Sequence, residues 1–124
     1  VGAPRGEVTM KKKTCRLFHV TTATTAAAIL AEGFRDGSGG YGTAEEFTGV
    51  WLSDRPLDVN EGAEGDTALM ISFSIPLSAL ANYEWIEEGK GYREWLVPAE
   101  IIGRHATVSI VGPRHRIPKL RPIA

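Results

Sequence analysis

The stretch Ala68-Leu-Met-Ile-Ser-Phe-Ser-Ile75 constrains the fold more than any other part of the chain. Leu69, Ile71, Phe73 and Ile75 fall on one side of an extended strand, Ser72 and Ser74 on the other, because successive side chains of a strand point to opposite faces. That alternation belongs to a sheet with one buried face, which a second layer must cover. Pro76 cannot donate to a strand ladder and ends the run. With 124 residues, 43% of them hydrophobic and 23% charged, the chain has apolar material for one core and one domain.

Around this strand the pattern continues. Arg16 to Thr21 is a short, partly β-branched apolar run and reads as a first strand. Thr22 or Thr24 is placed to cap a helix whose apolar positions are Ala26, Ile29 and Leu30, with Gly33 as its stop and Phe34 folding back against it. Arg35 to Thr48 holds Gly37, Gly39, Gly40 and Gly42 around Tyr41, which is loop chemistry. Gly49 to Asp54 reads as a second strand and Leu57 to Thr67 as a polar loop. Leu77, Leu80 and Ala81 predict a short helix before Tyr83-Glu-Trp85, and Glu87 to Gly91 a turn. Arg93 to Val97 reads as a strand, Pro98 to Ile102 as its irregular continuation, and Thr107 to Val111 as the last strand. The expected order is β-α-β-β-α-β-β, an α+β domain over 16–124 preceded by a basic extension over 1–15.

Charge is sorted along the chain. Residues 1–16 carry five basic groups and one acidic, residues 103–124 five basic and none acidic, and residues 17–102 four basic and 14 acidic. The formal net charge of −1 excludes a uniformly basic surface. The basic ends either form a ridge that attracts an anionic partner such as nucleic acid or neutralise the acidic middle. No run approaches the roughly 18 apolar residues of a membrane span, so no membrane partner is expected. No apolar segment follows the basic residues of the N-terminus as in a secretory signal. The single cysteine, Cys15, excludes an intramolecular disulfide and a thiolate zinc cage. A cytoplasmic setting is the expectation.

Three islands carry candidate chemistry. His19 sits inside an apolar strand, where burial is costly unless its ring nitrogens find partners; a structural histidine bonded to backbone would look the same. In Gly49-Val-Trp-Leu-Ser-Asp54, Trp51 supplies a flat face, Gly49 permits close approach to the backbone, and Ser53 and Asp54 add polar groups; a glycine-bounded core strand shares that pattern. Glu94 precedes Trp-Leu-Val, an odd place for a carboxylate unless the strand is an edge or a partner neutralises it. Arg93 points to the opposite face and is a poor partner.

In this order and spacing the set resembles the ADP-ribosyltransferase superfamily, in particular its diphtheria-toxin-like branch, which includes the poly(ADP-ribose) polymerases. Its His-x-Ser/Thr strand and following helix match His19-Val-Thr21 and then Ala26 to Phe34. Its Gly-Ile-Tyr-Phe-Ala-Asp strand matches Gly49 to Asp54, and its late Glu-Tyr-hydrophobic-hydrophobic matches Glu94-Trp-Leu-Val97. The resemblance spans about residues 16–111, through short motifs. Val20 stands where the family has glycine and Trp51 where it has tyrosine. The resemblance implies a split β-sandwich with one or two short helices. It implies NAD as the substrate cofactor and a mono-ADP-ribosyltransferase of the kind found as toxins or modifying enzymes in bacteria, with an unidentified acceptor. Glu94 and His19 would be catalytic, and His19, Val20, Thr21, Tyr41, Gly49, Trp51 and Ser53 would bind NAD.

Two alternatives stand beside it: an RNA 2′-phosphotransferase-like enzyme, which relies on basic pocket residues, and a non-catalytic α+β binding module. Glu100 competes with Glu94 from six residues further on. Gly37 to Gly42 lacks the Gly-Lys-Ser/Thr of a phosphate-binding loop. His105 and His115 have no Cys or His at metal spacing, so no metal is expected, and Cys15 has no readable histidine partner.

Overall fold

Strand β1 (Cys15–Thr21) alternates between two buried faces, and the sheet grows outward from it. The computed structural model describes residues 14–39, 47–61 and 63–113. After β1 come helix α1 (Ala23–Glu32), β2 (Gly37–Gly39), β3 (Phe47–Ser53), a 3-10 turn (Val59–Glu61), β4 (Thr67–Phe73) and a 3-10 helix (Leu77–Tyr83). The described chain closes with β5 (Glu84–Trp85), β6 (Glu94–Val97), α2 (Ala99–His105) and β7 (Ala106–Pro113). Six strands form an open antiparallel sheet in the order β5-β6-β3-β1-β4-β7, and β2 pairs with the start of β3 off that path. This is a single α+β domain.

The predicted alternation of β4 is present. Leu69, Ile71 and Phe73 are buried together and join Leu17, Val50, Leu52, Trp95 and Val97 in one core. The strand ends at Phe73, so Ile75 packs on the core from beyond it. Helix α1 covers this face through Ala26. Of the two candidate caps Thr22 is the one used: its Oγ1 accepts the Thr25 N–H at 3.1 Å. Gly33, at φ 86°, ends the helix and donates its N–H to Ile29 O at 2.7 Å.

Several local expectations are corrected. Leu30, read as part of the buried stripe, is 46% exposed, because a ten-residue helix laid on the sheet buries a narrow line centred on Ala26. The region 35–48 contains β2 and the start of β3. Ala81 is exposed, and the 3-10 helix is anchored by buried Leu80 with Leu77 and Tyr83 packed on the core beside it. Residues 98–102 are not an irregular strand but the start of α2. Pro98 fixes the backbone before the first turn, and Ala99 N–H donates to Asp36 Oδ1 at 2.7 Å. Glu100 sits in the first turn and Arg104 in the last, joined at 2.7 Å, which complements the helix dipole.

The register that matters for function lies between β1 and β3. β1 pairs with β4 along its whole length, from Cys15–Phe73 to Thr21–Thr67. With β3 it shares a single pair, Phe18 opposite Ser53. Beyond that pair the two strands separate, and a cleft opens between them.

Candidate functional site

A cleft of about 730 Å³ follows that separation, a volume typical of small-molecule sites. His19, Val20, Thr21, Gly49, Trp51, Ser53 and Glu94 all line it. Tyr41 lies outside the described residues. By register, His19 shares a face with Leu17 and Leu69, whereas Trp51, Ser53 and Glu94 share the opposite face with Phe18. Residues from both faces reach one space because the sheet is parted there.

His19 closes the gap from the β1 side. Its Nδ1 lies 2.8 Å from the Trp51 carbonyl oxygen. A carbonyl only accepts, so Nδ1 carries a proton. Burial pushes the imidazole below its ordinary value, and the bond to the Trp51 carbonyl and the nearby Glu64 charge offset this only in part. The ring is therefore neutral near pH 7, and Nε2 presents a lone pair. Phe34 meets the ring edge-on, with centroids 5.3 Å apart, and fixes its plane. The bland reading of His19, a backbone-bonded histidine, accounts for one nitrogen and leaves the other as an acceptor.

Thr21 is 3% exposed, and its hydroxyl has no hydrogen-bond partner among the described residues. Gly65 makes its position possible: a Cβ there would lie 2.5 Å from the Thr21 carbonyl oxygen, so only glycine lets the following loop pass this close. Ser53 has a structural task. Its buried hydroxyl lies 2.7 Å from Arg55 O and 3.3 Å from Phe18 O, tying the strand end to β1. Asp54 likewise accepts from Arg93 N–H at 3.1 Å and joins β3 to the start of β6. Gly49 also has an internal reason. At φ 144° its Cβ would meet Leu96 Cγ at 3.1 Å and Val97 O at 3.2 Å, so β6 requires the glycine independently of any ligand.

Trp51 is half-buried on the cleft side of β3 and meets Trp85 edge-on, centroids 5.6 Å apart. Glu94 lies beside this pair, opposite Ser53 on one side and Trp85 on the other. The partner that its burial demands is Lys90, whose Nζ is 2.7 Å from Oε1. Sequence reasoning treated Lys90 as part of a turn and missed it. A Lys-x-x-x-Glu spacing signals an ion pair on a helix, and here no helix carries it. Oε2 has no protein partner among the described residues and is not sealed from solvent. Burial lowers the Lys90 ammonium more than any other single influence, yet Glu94, with Tyr92 and Glu87, raises it on balance, so it stays charged. Tyr92 lies between two cations, Lys90 at 5.0 Å and Arg55 at 5.4 Å from its ring centre. Arg55 in turn holds Glu61 through both guanidinium nitrogens, at 3.1 and 2.6 Å.

Glu100, the competitor for Glu94, is exposed on α2, pairs with Arg104 and does not line the cleft. No group of three His, Cys, Asp or Glu able to hold a metal ion occurs among the described residues, nor a helix long and apolar enough to cross a membrane. Of the basic termini only Arg16 and Arg104 are described. Compared with known proteins, the chain matches no family model, no curated protein and no solved structure.

Proposed function

We propose that this chain is a mono-ADP-ribosyltransferase of split β-sandwich design, which breaks the nicotinamide–ribose bond of NAD⁺ and passes ADP-ribose to an acceptor nucleophile. One observation carries the reading: His19, Trp51 and Glu94 line a single cleft, with Nδ1 of His19 held by the Trp51 carbonyl and Oε1 of Glu94 by Lys90. The single β1–β3 register pair supports the split-sandwich assignment, because it is where such a sandwich parts.

In this reading Trp51 stacks on the nicotinamide ring, and Nε2 of neutral His19 accepts a hydrogen bond from the adenosine ribose. Thr21 offers its unpartnered hydroxyl to the same ligand. Oε2 of Glu94 accepts from the 2′-hydroxyl of the nicotinamide ribose. As the glycosidic bond lengthens, its electron pair leaves with the nicotinamide nitrogen and positive charge grows on the ribose. A carboxylate beside that ribose gains interaction energy in step with the charge, which lowers the barrier beyond its effect on binding. Attraction between Trp51 and the cationic ring acts on the ground state, since that charge vanishes as the ring departs. The acceptor's nucleophilic atom then bonds to the ribose carbon and loses its proton. Val20 lines the cleft where the family has glycine, and it is buried.

The cleft weighs against a 2′-phosphotransferase. Among the described residues Arg35 is its one basic lining residue, and Arg35 is paired with Glu32 at 3.2 Å, whereas Glu61, Glu64 and Glu94 also line it. The test is free nicotinamide released from NAD⁺ by wild type and Glu94→Gln, with NAD⁺ binding measured by calorimetry. The variant should bind with nearly wild-type affinity and lose turnover by about 10³-fold, the scale of one removed transition-state contact. Equal release by both proteins, or none by wild type, overturns the proposal. Mass spectrometry of a lysate incubated with labelled NAD⁺ then identifies the acceptor class.

A further inference from the structure

We infer that Lys90 is a positioning residue for Glu94: its ammonium holds Oε1, fixes the carboxylate plane, and so reserves Oε2 for the ribose 2′-hydroxyl. The inference rests on the reading of Glu94 given above. The geometry sets this ion pair apart from the other pairs among the described residues. Both side chains are only 12% exposed, against 83% and 61% for Arg35 and Glu32, or 63% and 70% for Arg104 and Glu100. A pair withdrawn from water in this way gains little net stability, because each ion loses hydration that the partner barely restores. What it supplies is a fixed orientation for a carboxylate that would otherwise rotate.

Lys90 is itself held from several sides. Glu87 Oε1 lies 3.7 Å from its Nζ, and the Tyr92 ring lies 5.0 Å away. Tyr92 is anchored by Arg55 over its ring and by its hydroxyl, 3.4 Å from Glu61 O. The ammonium thus sits among Glu87 and Tyr92 of the 87–92 segment and Glu94 of β6, and the loop after β3 braces Tyr92. Its three protons have Glu94 as the nearest acceptor, at 2.7 Å. Only one carboxylate oxygen is used. Were Lys90 a ligand group for a phosphate, it would face the cleft, but it does not line the cleft, while Glu94 does. Its effect on the reaction passes through Glu94.

Steady-state nicotinamide release from NAD⁺ by wild type, Lys90→Met and Lys90→Arg, each checked by thermal melting, tests this. Loss of the clamp should lower kcat about 10²-fold, the scale of an ångström-level misplacement. KM for NAD⁺ should stay within about threefold, because Lys90 does not touch the dinucleotide. Lys90→Arg, which can reach Oε1, should recover most of the loss; a purely structural role predicts no such rescue of kcat in variants melting at the same temperature. If Lys90→Met melts below the assay temperature, Lys90→Ala, which also lacks a donor, carries the same comparison at a temperature below its own melting point. A folded variant that keeps kcat, or one that raises KM alone, overturns the positioning role and leaves the transferase reading standing. Absence of release from wild type overturns that reading and the inference with it.

Discussion

The two walls of the cleft are fixed by different means. On the β1 side, the main chain positions the groups that matter: His19 through the Trp51 carbonyl, Thr21 through the glycine that passes over it, and α1 through the Thr22 cap. On the β6 side, side-chain ions do so: Lys90 with Glu94, Arg93 with Glu84, and Arg55 with Glu61. Backbone contacts come with the fold and respond weakly to salt. Side-chain ion pairs can be retuned by a single substitution and are screened when exposed. The difference suits the proposed chemistry, in which the β1 side binds a ligand and the β6 side responds to charge that appears only during the reaction.

The comparison breaks most visibly at Gly65. Gly65→Ala places a methyl group 2.5 Å from the Thr21 carbonyl oxygen, and the clash is with backbone that cannot swing aside. A loss of about 1–3 kcal/mol is expected, as for overpacking elsewhere, read as the shift in urea midpoint at constant slope. Glu94 and Lys90 should be untouched, so turnover per folded molecule should fall mainly through KM. An unchanged midpoint would mean that the loop does not depend on this approach.

Trp51 tests the binding wall directly. Trp51→Ala removes the ring and its edge contact with Trp85 but not the carbonyl that His19 uses. An effect of about 1–1.5 kcal/mol on NAD⁺ affinity is expected from the lost stacking and cation–π contact. Calorimetric titration should show this roughly tenfold weakening, with kcat changed less than KM. A larger loss in kcat than in binding would move Trp51 to the reacting side.

The sheet was legible in the sequence because alternation and chain breakers are local. Leu69, Ile71 and Phe73 face one way whatever else the chain does, and Thr22 and Gly33 bound a helix by their own chemistry. Helix α2 was not, although Pro98, Glu100 and Arg104 hold the right signals, because in seven residues a helical and an extended reading of Pro-Ala-Glu-Ile-Ile are hard to separate. The meeting of His19, Trp51 and Glu94 was anticipated by motif order. Parity within strands would have put His19 on the wrong face, and only the parting of β1 from β3 brings it to the same cleft. Lys90 was invisible because its partnership is set by the path of a turn, which no periodicity records. The reasons for Gly49 and Gly65 were hidden likewise, since each depends on a distant segment's approach.

The smallest expected effect is the pH response of His19, and it separates the walls most cleanly. Burial holds the folded imidazole below its ordinary value of 6.5, so in the window just under pH 6.5 the unfolded chain binds a proton that the folded chain does not. Stability therefore rises with pH through that window. The contribution of neutral His19 is fully present above pH 6.5 and is lost as pH falls from there to the lowered native value. His19→Gln lacks the titrating group, so wild type should lose more stability than the variant between pH 7.5 and 5.5, while every other group is common to both. Urea midpoints for the two proteins at both pH values measure the difference. NAD⁺ affinity should hold through this window and fall only as pH drops through the lowered native value, where a proton on Nε2 turns the acceptor for the ribose hydroxyl into a donor. Identical pH slopes in the two proteins would mean that the folded ring titrates as it does in water. The β1 wall would then be as open to protons as the β6 wall is to salt.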